Sequence, residues 1–533
     1  MQFDDLAPDT YRISVKAADD SGAVVLSGSA KATVTAGQTA TVTVDLESAL
    51  GNLTVDFAGA ESDSVAEYTV ILSGPNESKK TQEVTARTVQ FEGLIPGDYT
   101  VSVSGQDSAG TIVLSGTAKA TVVEGQPVTA TVNLELSPGI LTVNFSETGD
   151  STASNFTIEL TGSNGTTPIK TVSGGSTVQF DDLAPDTYNI SVKGNDASGL
   201  VVLYGTSDAA VTAGATASAE VDLMGVVNDL SSLQQAVTAG GTIYIGSDIN
   251  VASPLTVNTD VTLLPAYKNV TLTNNSSGNL FIIDNSSGNL TIGGGEYIIT
   301  LDGNQVAQSI ILVKADGTAT LTDNGIITNA AASGVNISSY YGIFEMTGGT
   351  IMNNTSSHGG AVSMSNGTFS MTGGILKDNK SSGTGGAVSM SNGTFSMTGG
   401  SITGNTAQNY GGGVCVSGGT FNLSGGSISN NSATYGSGVS VNQGSFKMSG
   451  SAVIDSNNDV YLNNSKTITI TGELTGGDTV ATITLASYNE GTQVLSAESG
   501  VDLANEVGKF AVTPNPADDS EWTIDPNTGN LVQ

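Results

Sequence analysis

Few side chains in this sequence could do covalent chemistry, and each stands alone. The one histidine, His358, sits in Ser356-Ser357-His358-Gly359-Gly360. A hydroxyl beside an imidazole begins a nucleophile–base pair, but a third group must then orient the base. The one cysteine, Cys415, needs a nearby base to become a nucleophile, and the residues around it supply none. Asp378 and Asp455 offer carboxylates singly, whereas glycoside hydrolysis takes two carboxyls about 5–10 Å apart. After Arg87 the chain has no arginine. The expectation is therefore no catalytic, cofactor-binding or metal-ligating residue and no cofactor. Carboxyl pairs assembled from different repeats stay open, as does a site within the less regular stretch 250–340.

The elements that must position these residues repeat. GGAVSMSNGTFSMTGG occupies residues 359–374 and recurs unchanged at 385–400. Looser copies are GGGVCVSGGTFNLSGG at 411–426 and GSGVSVNQGSFKMSGS at 436–451. Phe344, Phe369, Phe395, Phe421 and Phe446 are spaced by 25, 26, 26 and 25 residues. Met346, Met371, Met397, Leu423 and Met448 follow two residues after each, and Val362, Val388, Val414 and Val439 form a parallel series. Three β-runs per repeat, separated by Gly-rich bends, predict a right-handed parallel β-helix. Alternation points Val, Phe and Met inward and Ser and Thr outward, with like residues stacked about 4.8 Å apart. Asn354, Asn379, Asn405, Asn431 and Asn457 each follow an Ile or Leu by three residues. Asn tolerates left-handed backbone and bonds neighbouring main chain, so this series reads as structural. Amide oxygens without clustered carboxylates make poor cation sites.

Within this alignment His358 shares a variable bend with Thr384, Tyr410 and Tyr435, and reads as a solvated turn residue. Cys415 falls in an outward column with Ser363, Ser389 and Ser440, a serine position that has become cysteine. One outward strip runs Thr368/Ser370, Thr394/Ser396, Thr420/Asn422, Ser445/Lys447. Flat Thr-x-Thr arrays can bind ice, but this strip passes into Asn and Lys. A hydroxyl- and amide-rich face suits glycans equally well, or no ligand at all.

Residues 1–225 carry short alternating runs such as Leu53-Thr54-Val55-Asp56-Phe57, with turn residues between them. No helical period competes, so these runs read as β-sandwich repeats. Phe3, Phe91 and Phe180 lie 88 and 89 residues apart. Each leads the phrase Phe-x-x-Leu-x-Pro-(Gly/Asp)-x-Tyr-x-(Val/Ile), whose Pro presets the turn. GNLTVDF at 51–57 and GILTVNF at 139–145 open the two complete repeats. Their counterpart before Phe3 has no place in the chain. That predicts upstream sequence resembling residues 51–88. Met1 stands where the later copy has Val178; a GTG codon read as a start, or a fragment given an added Met, would each account for the exchange.

The fold class is thus all-β: tandem β-sandwich domains followed by a right-handed parallel β-helix with an N-terminal capping helix. The boundaries are a truncated repeat at 1–47, repeats at 48–137 and 138–225, the β-helix at 226–470, and last rungs with a cap at 471–533. Asp229 can cap a helix carrying Leu230, Leu233 and Val237, which Gly240 ends. Such a helix covers an otherwise unpaired first rung. Beyond 470, residues 479–485 and 509–513 read as strands and Asp502–Val507 as a short helix.

Lys and Arg number 16 against 50 Asp and Glu, a net charge of -34. That argues against nucleic acid, which is bound by neutralising phosphates, and disfavours anionic membranes, so neither is expected as a partner. It fits a self-repelling chain in water that meets divalent cations. A single cysteine forbids an internal disulfide. No run of 18 apolar residues occurs, so no membrane span is expected. No sorting signal of LPxTG type ends the chain, and no signal peptide opens it; any export signal is expected upstream of Met1.

The Phe-to-Tyr phrase resembles the carboxypeptidase-regulatory-like and Cna-B-like sandwiches of bacterial surface stalks. Cna-B-type domains often carry a first-strand Lys for an isopeptide crosslink; LTVDF and LTVNF hold none, so no crosslink is expected here. GGA(I/L/V) followed by apolar-x-x-Asn is similar to the repeats of polymorphic outer-membrane adhesins, within the pectin-lyase-like β-helices. This chain uses Ile or Leu where that family has Phe, and residues after 470 do not read as its outer-membrane barrel. The resemblance implies a bacterial extracellular or cell-surface protein, a sandwich stalk presenting a β-helix that adheres to a glycan or protein of a host or neighbouring cell. The alternative is a polysaccharide-binding or polysaccharide-degrading β-helix, a lyase or hydrolase. Enzymes of that fold use clustered Asp with His and Arg-x-Lys, or calcium-binding acids with a basic residue, commonly Arg; this sequence has no Arg after Arg87 and its one His in a variable bend.

Overall fold

A computed structural model describes residues 1–533 except 19, 21, 23, 148–151, 164 and 306–307. The chain divides into two compact bodies. One holds Met1–Glu147, Ser154–Lys193 and Gly205–Leu223; the other holds Gly194–Tyr204 and Met224–Gln533.

In the first body, the repeat from residue 48 onward is a seven-stranded assembly in two layers. Gly51–Gly59 lies antiparallel to Thr88–Leu94 and parallel to Pro127–Leu136. Glu67–Ser73, Lys79–Val84, Gly97–Gln106 and Ile112–Val122 make the facing layer. Inward residues of both layers, among them Val55, Phe57, Tyr68, Val101 and Leu114, form one buried core. The next repeat pairs alike: Gly139–Glu147 is antiparallel to Thr177–Leu183 and parallel to Thr216–Val227. The Tyr of the repeated phrase has a defined task. Its hydroxyl donates to the carbonyl four residues back, just before the Pro, at 3.0 Å from Tyr11 to Ala7, Tyr99 to Ile95 and Tyr188 to Ala184. That bond ties the turn to the strand it feeds.

The second body is a β-solenoid of about ten turns. Parallel sheets of eleven and nine strands form two of its faces, and eleven parallel strands from Gly241–Ile245 to Leu495–Ala497 form the third. On the third face Phe344, Phe369, Phe395, Phe421 and Phe446 pair in register. Their rings stack with centroids 4.4–5.1 Å apart, matching the strand spacing. The Phe, Met/Leu and Val series are all buried, so the expected inward positions hold.

The Gly-Gly pairs have two reasons. Gly359, Gly385, Gly411 and Gly436 each sit at φ +66, a left-handed conformation. The glycine after each faces the next coil: a Cβ on Gly386 would lie 2.1 Å from the carbonyl oxygen of Gly412.

The asparagine ladder corrects the expectation at one position. Asn354, Asn379, Asn405 and Asn431 are buried, but the fifth member is Asn458, while Asn457 is exposed. The bend after Ile454 is one residue longer, and the amide one step on reaches the column. Each Oδ1 accepts both the backbone N–H and the Nδ2 of the preceding member; Asn379 N and Nδ2 lie 3.0 and 2.9 Å from Asn405 Oδ1. The left-handed residue is the one before: Asn353, Asp378, Gly404 and Asn430 have φ between 53 and 69.

Three runs per coil are present, and several coils carry a fourth. Thr355–His358, Lys380–Thr384 and Thr406–Ala407 form a short parallel sheet that the sequence reading missed.

The ends close as expected. Leu230–Ala239 is helical, Asp229 accepts from Ser232 N at 2.9 Å, and Leu233 and Val237 are buried. At the far end Ala481–Leu485 and Phe510–Val512 extend one face. Leu503–Glu506 is helical with Asp502 as its cap, and Trp522 is buried beside Tyr488.

Two substitutions test this core. Phe395→Ala removes the middle of the ring stack and is expected to cost about 3–5 kcal/mol. Asn405→Ala leaves the buried backbone N–H of Asn379 without its acceptor, while Asn379 Nδ2 keeps Ile351 O and Lys377 O, at a cost of about 1–3 kcal/mol. Amide exchange should quicken in residues 368–431 and stay unchanged in the sandwich repeats; unchanged exchange in both variants would refute the assigned interior.

Candidate functional site

His358 is exposed, and its Nδ1 lies 3.1 Å from Ser357 Oγ. The Ser-His contact suspected from sequence therefore exists. A base still needs an orienting partner, and among the described residues no ion pair involves His358. The column His358, Thr384, Tyr410, Tyr435 is real: each pairs with the next across coils. Tyr410 and Tyr435 stack at 5.1 Å, and Tyr461 closes over them. The position is a bend that takes a hydroxyl, an imidazole or a phenol ring without altering the coil.

Cys415 pairs with Ser389 and Ser440, as expected. It points away from the coil interior yet is fully buried. Thr384, the last residue of a fourth run, hydrogen-bonds to it. The Cys415 Sγ is 3.4 Å from Ser417 Oγ and 3.6 Å from Asn442 Nδ2. Burial pushes the thiol pKa up, and hydrogen bonds from Ser417 and Thr384 offset part of that rise. A thiol held protonated and covered is a poor nucleophile.

Asp378 and Asp455 are both exposed at bends. Asp378 holds the left-handed position at φ 56 before Asn379, which explains an acid there without chemistry. Among the described residues no three His, Cys, Asp or Glu side chains gather closely enough to hold a metal ion. Open grooves of about 550, 260 and 450 Å³ occur. The first, lined by Lys16, Asp45 and Glu47 among others, is in the opening repeat; the second lies beside the capping helix. None lies on the regular coils.

The regular coils present a flat, register-matched outer face. Thr368, Thr394, Thr420 and Ser445 form one row, and Ser370, Ser396, Asn422 and Lys447 the next. These side chains are exposed or half-buried. Asn422 Nδ2 donates to Ser396 Oγ at 3.3 Å, and Lys447 is paired with Glu498 at 2.6 Å. The face therefore offers hydroxyls and amides one strand spacing apart, ending in an ion pair.

One outcome is checked with thiol reagents. Native protein at neutral pH should label Cys415 far more slowly than denatured protein. Equal rates would mean that the cover over this column is absent.

Among the described residues no helix is long and apolar enough to cross a membrane. No protein-family model matches the sequence, and no curated protein matches it. Solved structures similar to it are distant. The TIE protein of Bacillus anthracis matches at 14% identity and a TM-score of 0.21, over 43% of this chain and 47% of that one. The chain thus spans about half that protein's length. The minor pilin GBS52 of Streptococcus agalactiae matches at 12% identity and a TM-score of 0.16, over 33% of this chain and 97% of its own. The fimbrial anchor protein Mfa2 of Porphyromonas gingivalis matches at 16% identity and a TM-score of 0.16, over 29% of this chain and 79% of its own.

Proposed function

We propose that this chain is an extracellular or cell-surface adhesion protein of bacterial type, in which the sandwich repeats are spacers and the solenoid is the binding body. The observation that carries the reading is the repetition of one outer face. Successive coils place Thr and Ser at matched positions in register. Identical rungs present identical contacts, and weak contacts add when a ligand spans several. A surface of hydroxyls and amides at regular spacing suits a glycan, whose own hydroxyls recur along its length. The likeness of GGAV and Ile-x-x-Asn to polymorphic outer-membrane adhesin repeats, and of the front repeats to Cna-B-like sandwiches, agrees with this role.

The reading includes no turnover. An enzyme needs one rung set apart, with an acid or base converging on a reacting atom. His358 lies at an exposed bend, and Asp378 serves a backbone position. Polysaccharide binding without cleavage is the form of the alternative that the outer strip favours.

Purified protein is incubated with a panel of acidic and neutral polysaccharides, with and without Ca²⁺, and scored for retention and for new chain ends. Retention without new ends is expected. It should survive His358→Ala and weaken when Thr394 and Thr420 are both changed to Glu. Chain ends that rise with protein concentration and vanish in a coil variant would replace the adhesin by an enzyme.

A further inference from the structure

The corner that leads onto the hydroxyl-bearing face is longer in one coil than in the four that follow it. In those four it takes three residues: Ser365-Asn366-Gly367, Ser391-Asn392-Gly393, Ser417-Gly418-Gly419 and Asn442-Gln443-Gly444. Between Val335–Ile337 and Ile343–Met346 it takes five, Ser338-Ser339-Tyr340-Tyr341-Gly342. The backbone ladder is kept on both sides of them. Ser338 N lies 3.0 Å from Val313 O, Ile343 N lies 3.0 Å from Gly317 O, and Thr368 N lies 2.9 Å from Gly342 O. The extra length therefore leaves the coil, and it carries two tyrosines that are 73 and 75% exposed.

The base of this loop is held in place. Ser339 Oγ donates to Asp316 Oδ1 at 2.7 Å and accepts from Tyr341 N at 3.3 Å, and Ser338 Oγ donates to Val313 O at 3.2 Å. Among the described residues neither tyrosine ring has an aromatic neighbour, and neither phenol hydroxyl has a hydrogen-bond partner. Packing does not call for the rings, since the next coils turn the same corner with Asn or Gly. On that corner the following two coils carry Asn366 and Asn392, whose amides join at 3.2 Å. Thr368 and Thr394 lie beside them on the face, in register. Two free aromatic rings thus stand at the head of a line of amides and hydroxyls.

We propose that Tyr340 and Tyr341 form a stacking platform for the pyranose rings of a neutral polysaccharide, whose hydroxyls then reach Asn366, Asn392 and the Thr368–Thr394 row. The assignment rests on the glycan-binding reading of the outer face and names an aromatic subsite for it. Three features select this occupant. A pyranose has an apolar C–H face and a rim of hydroxyls, and tyrosine matches both with an apolar ring and a polar tip. Tyrosine also gives a wide contact with only two torsions to fix, and here the loop beneath it is already tied down. The surroundings are amides and hydroxyls, whereas a protein partner would need an apolar centre to its interface. Charge then chooses among sugars. Asp316 and Glu345 are exposed beside the loop, and the chain carries -34, so a polyanion is repelled and a neutral chain is not.

The test titrates the full-length protein with β-linked hexasaccharides of glucose, mannose and xylose, and with the hexamer of galacturonic acid. Heat of binding and the near-ultraviolet absorbance of tyrosine are the readouts. At least one neutral hexamer should bind and shift the tyrosine band, and the acidic hexamer should do neither. Replacing both rings, Tyr340→Ala with Tyr341→Ala, should weaken binding by about tenfold or more and remove the shift. Tyr340→Phe with Tyr341→Phe keeps the stacking surface and should keep most of the affinity. Both side chains are exposed, so amide exchange in the coils should be the same in every variant. Unchanged affinity in the double Ala variant overturns the platform; if Thr394→Glu with Thr420→Glu still weakens retention, the outer face survives as the binding surface without it. Binding of the acidic hexamer alone overturns the platform in the same way. A native protein that retains no sugar at all overturns the platform and the glycan reading together. A concentration-dependent dimer that the double Ala variant abolishes, with no sugar bound, assigns the rings to a second copy and also overturns the proposal.

Discussion

The solenoid depends on one requirement: each coil must hydrogen-bond to the next along its whole length, at one strand spacing. Parallel strands can meet that requirement only if the path of the chain repeats from coil to coil. Once it repeats, a residue at one position lies over the same position of its neighbour. Phe over Phe, Met over Met and Asn over Asn follow from backbone geometry, and the 25- and 26-residue spacing is the length of one such circuit. Face-to-face aromatic pairs are not the preferred arrangement of free rings. They are imposed here by register, and the 5° angle between Phe369 and Phe395 is the mark of that imposition.

The same requirement explains the polar interior. At the bend the backbone turns away from the ladder, so its N–H groups lose their usual acceptors. A buried unpaired N–H is costly. The Asn column supplies the missing acceptor from the next coil and uses its own Nδ2 to donate to main-chain oxygens; Asn405 Nδ2 lies 2.9 Å from Leu376 O. The column is a second ladder made of side chains, built where the first is interrupted. A column of this kind must be satisfied at both ends. Asn354 Oδ1 accepts from Ala330 N, and Asn458 Nδ2 donates back to Asn431 O. The ends of the solenoid face the same demand on a larger scale, met by the helix capped at Asp229 and by the strands and short helix after residue 480.

Much of this was legible because repetition turns a single sequence into its own comparison. Five Phe in phase identify an interior without any knowledge of the fold. What escaped the reading lies where the repeat changes length or where a neighbour intrudes. Counting three from Ile454 points to Asn457, but the longer bend puts Asn458 in the ladder instead. Cys415 was read as outward, which alternation does establish, but alternation says nothing of what lies beyond the strand. The fourth run was missed because Thr-Ser-Ser-His and Lys-Ser-Ser-Gly-Thr carry no apolar alternation; they pair through main chain alone. It bears on the site, since its last residue in one coil, Thr384, has Oγ1 3.2 Å from Ser389 Oγ in the column of Cys415.

Repetition also limits what such a body can do. Catalysis needs groups of different kind brought to one point, with at least one held in an unusual electrostatic state. Register works against that by placing like beside like. A column of carboxylates would repel itself, and a column of histidines would orient none of its members. Departures from the repeat are therefore where chemistry would have to begin. In the regular coils those departures are His358, Tyr410 and Tyr435 at one bend, Cys415 beneath it, and Lys447 against Glu498. The bend is exposed, the thiol is covered and protonated, and the lysine is neutralised. What is left unspent is the outer face itself, a lattice of hydroxyls and amides that each further coil lengthens by one row. Under the proposed adhesive role, a ligand that repeats along its own length would meet the same contacts at each row.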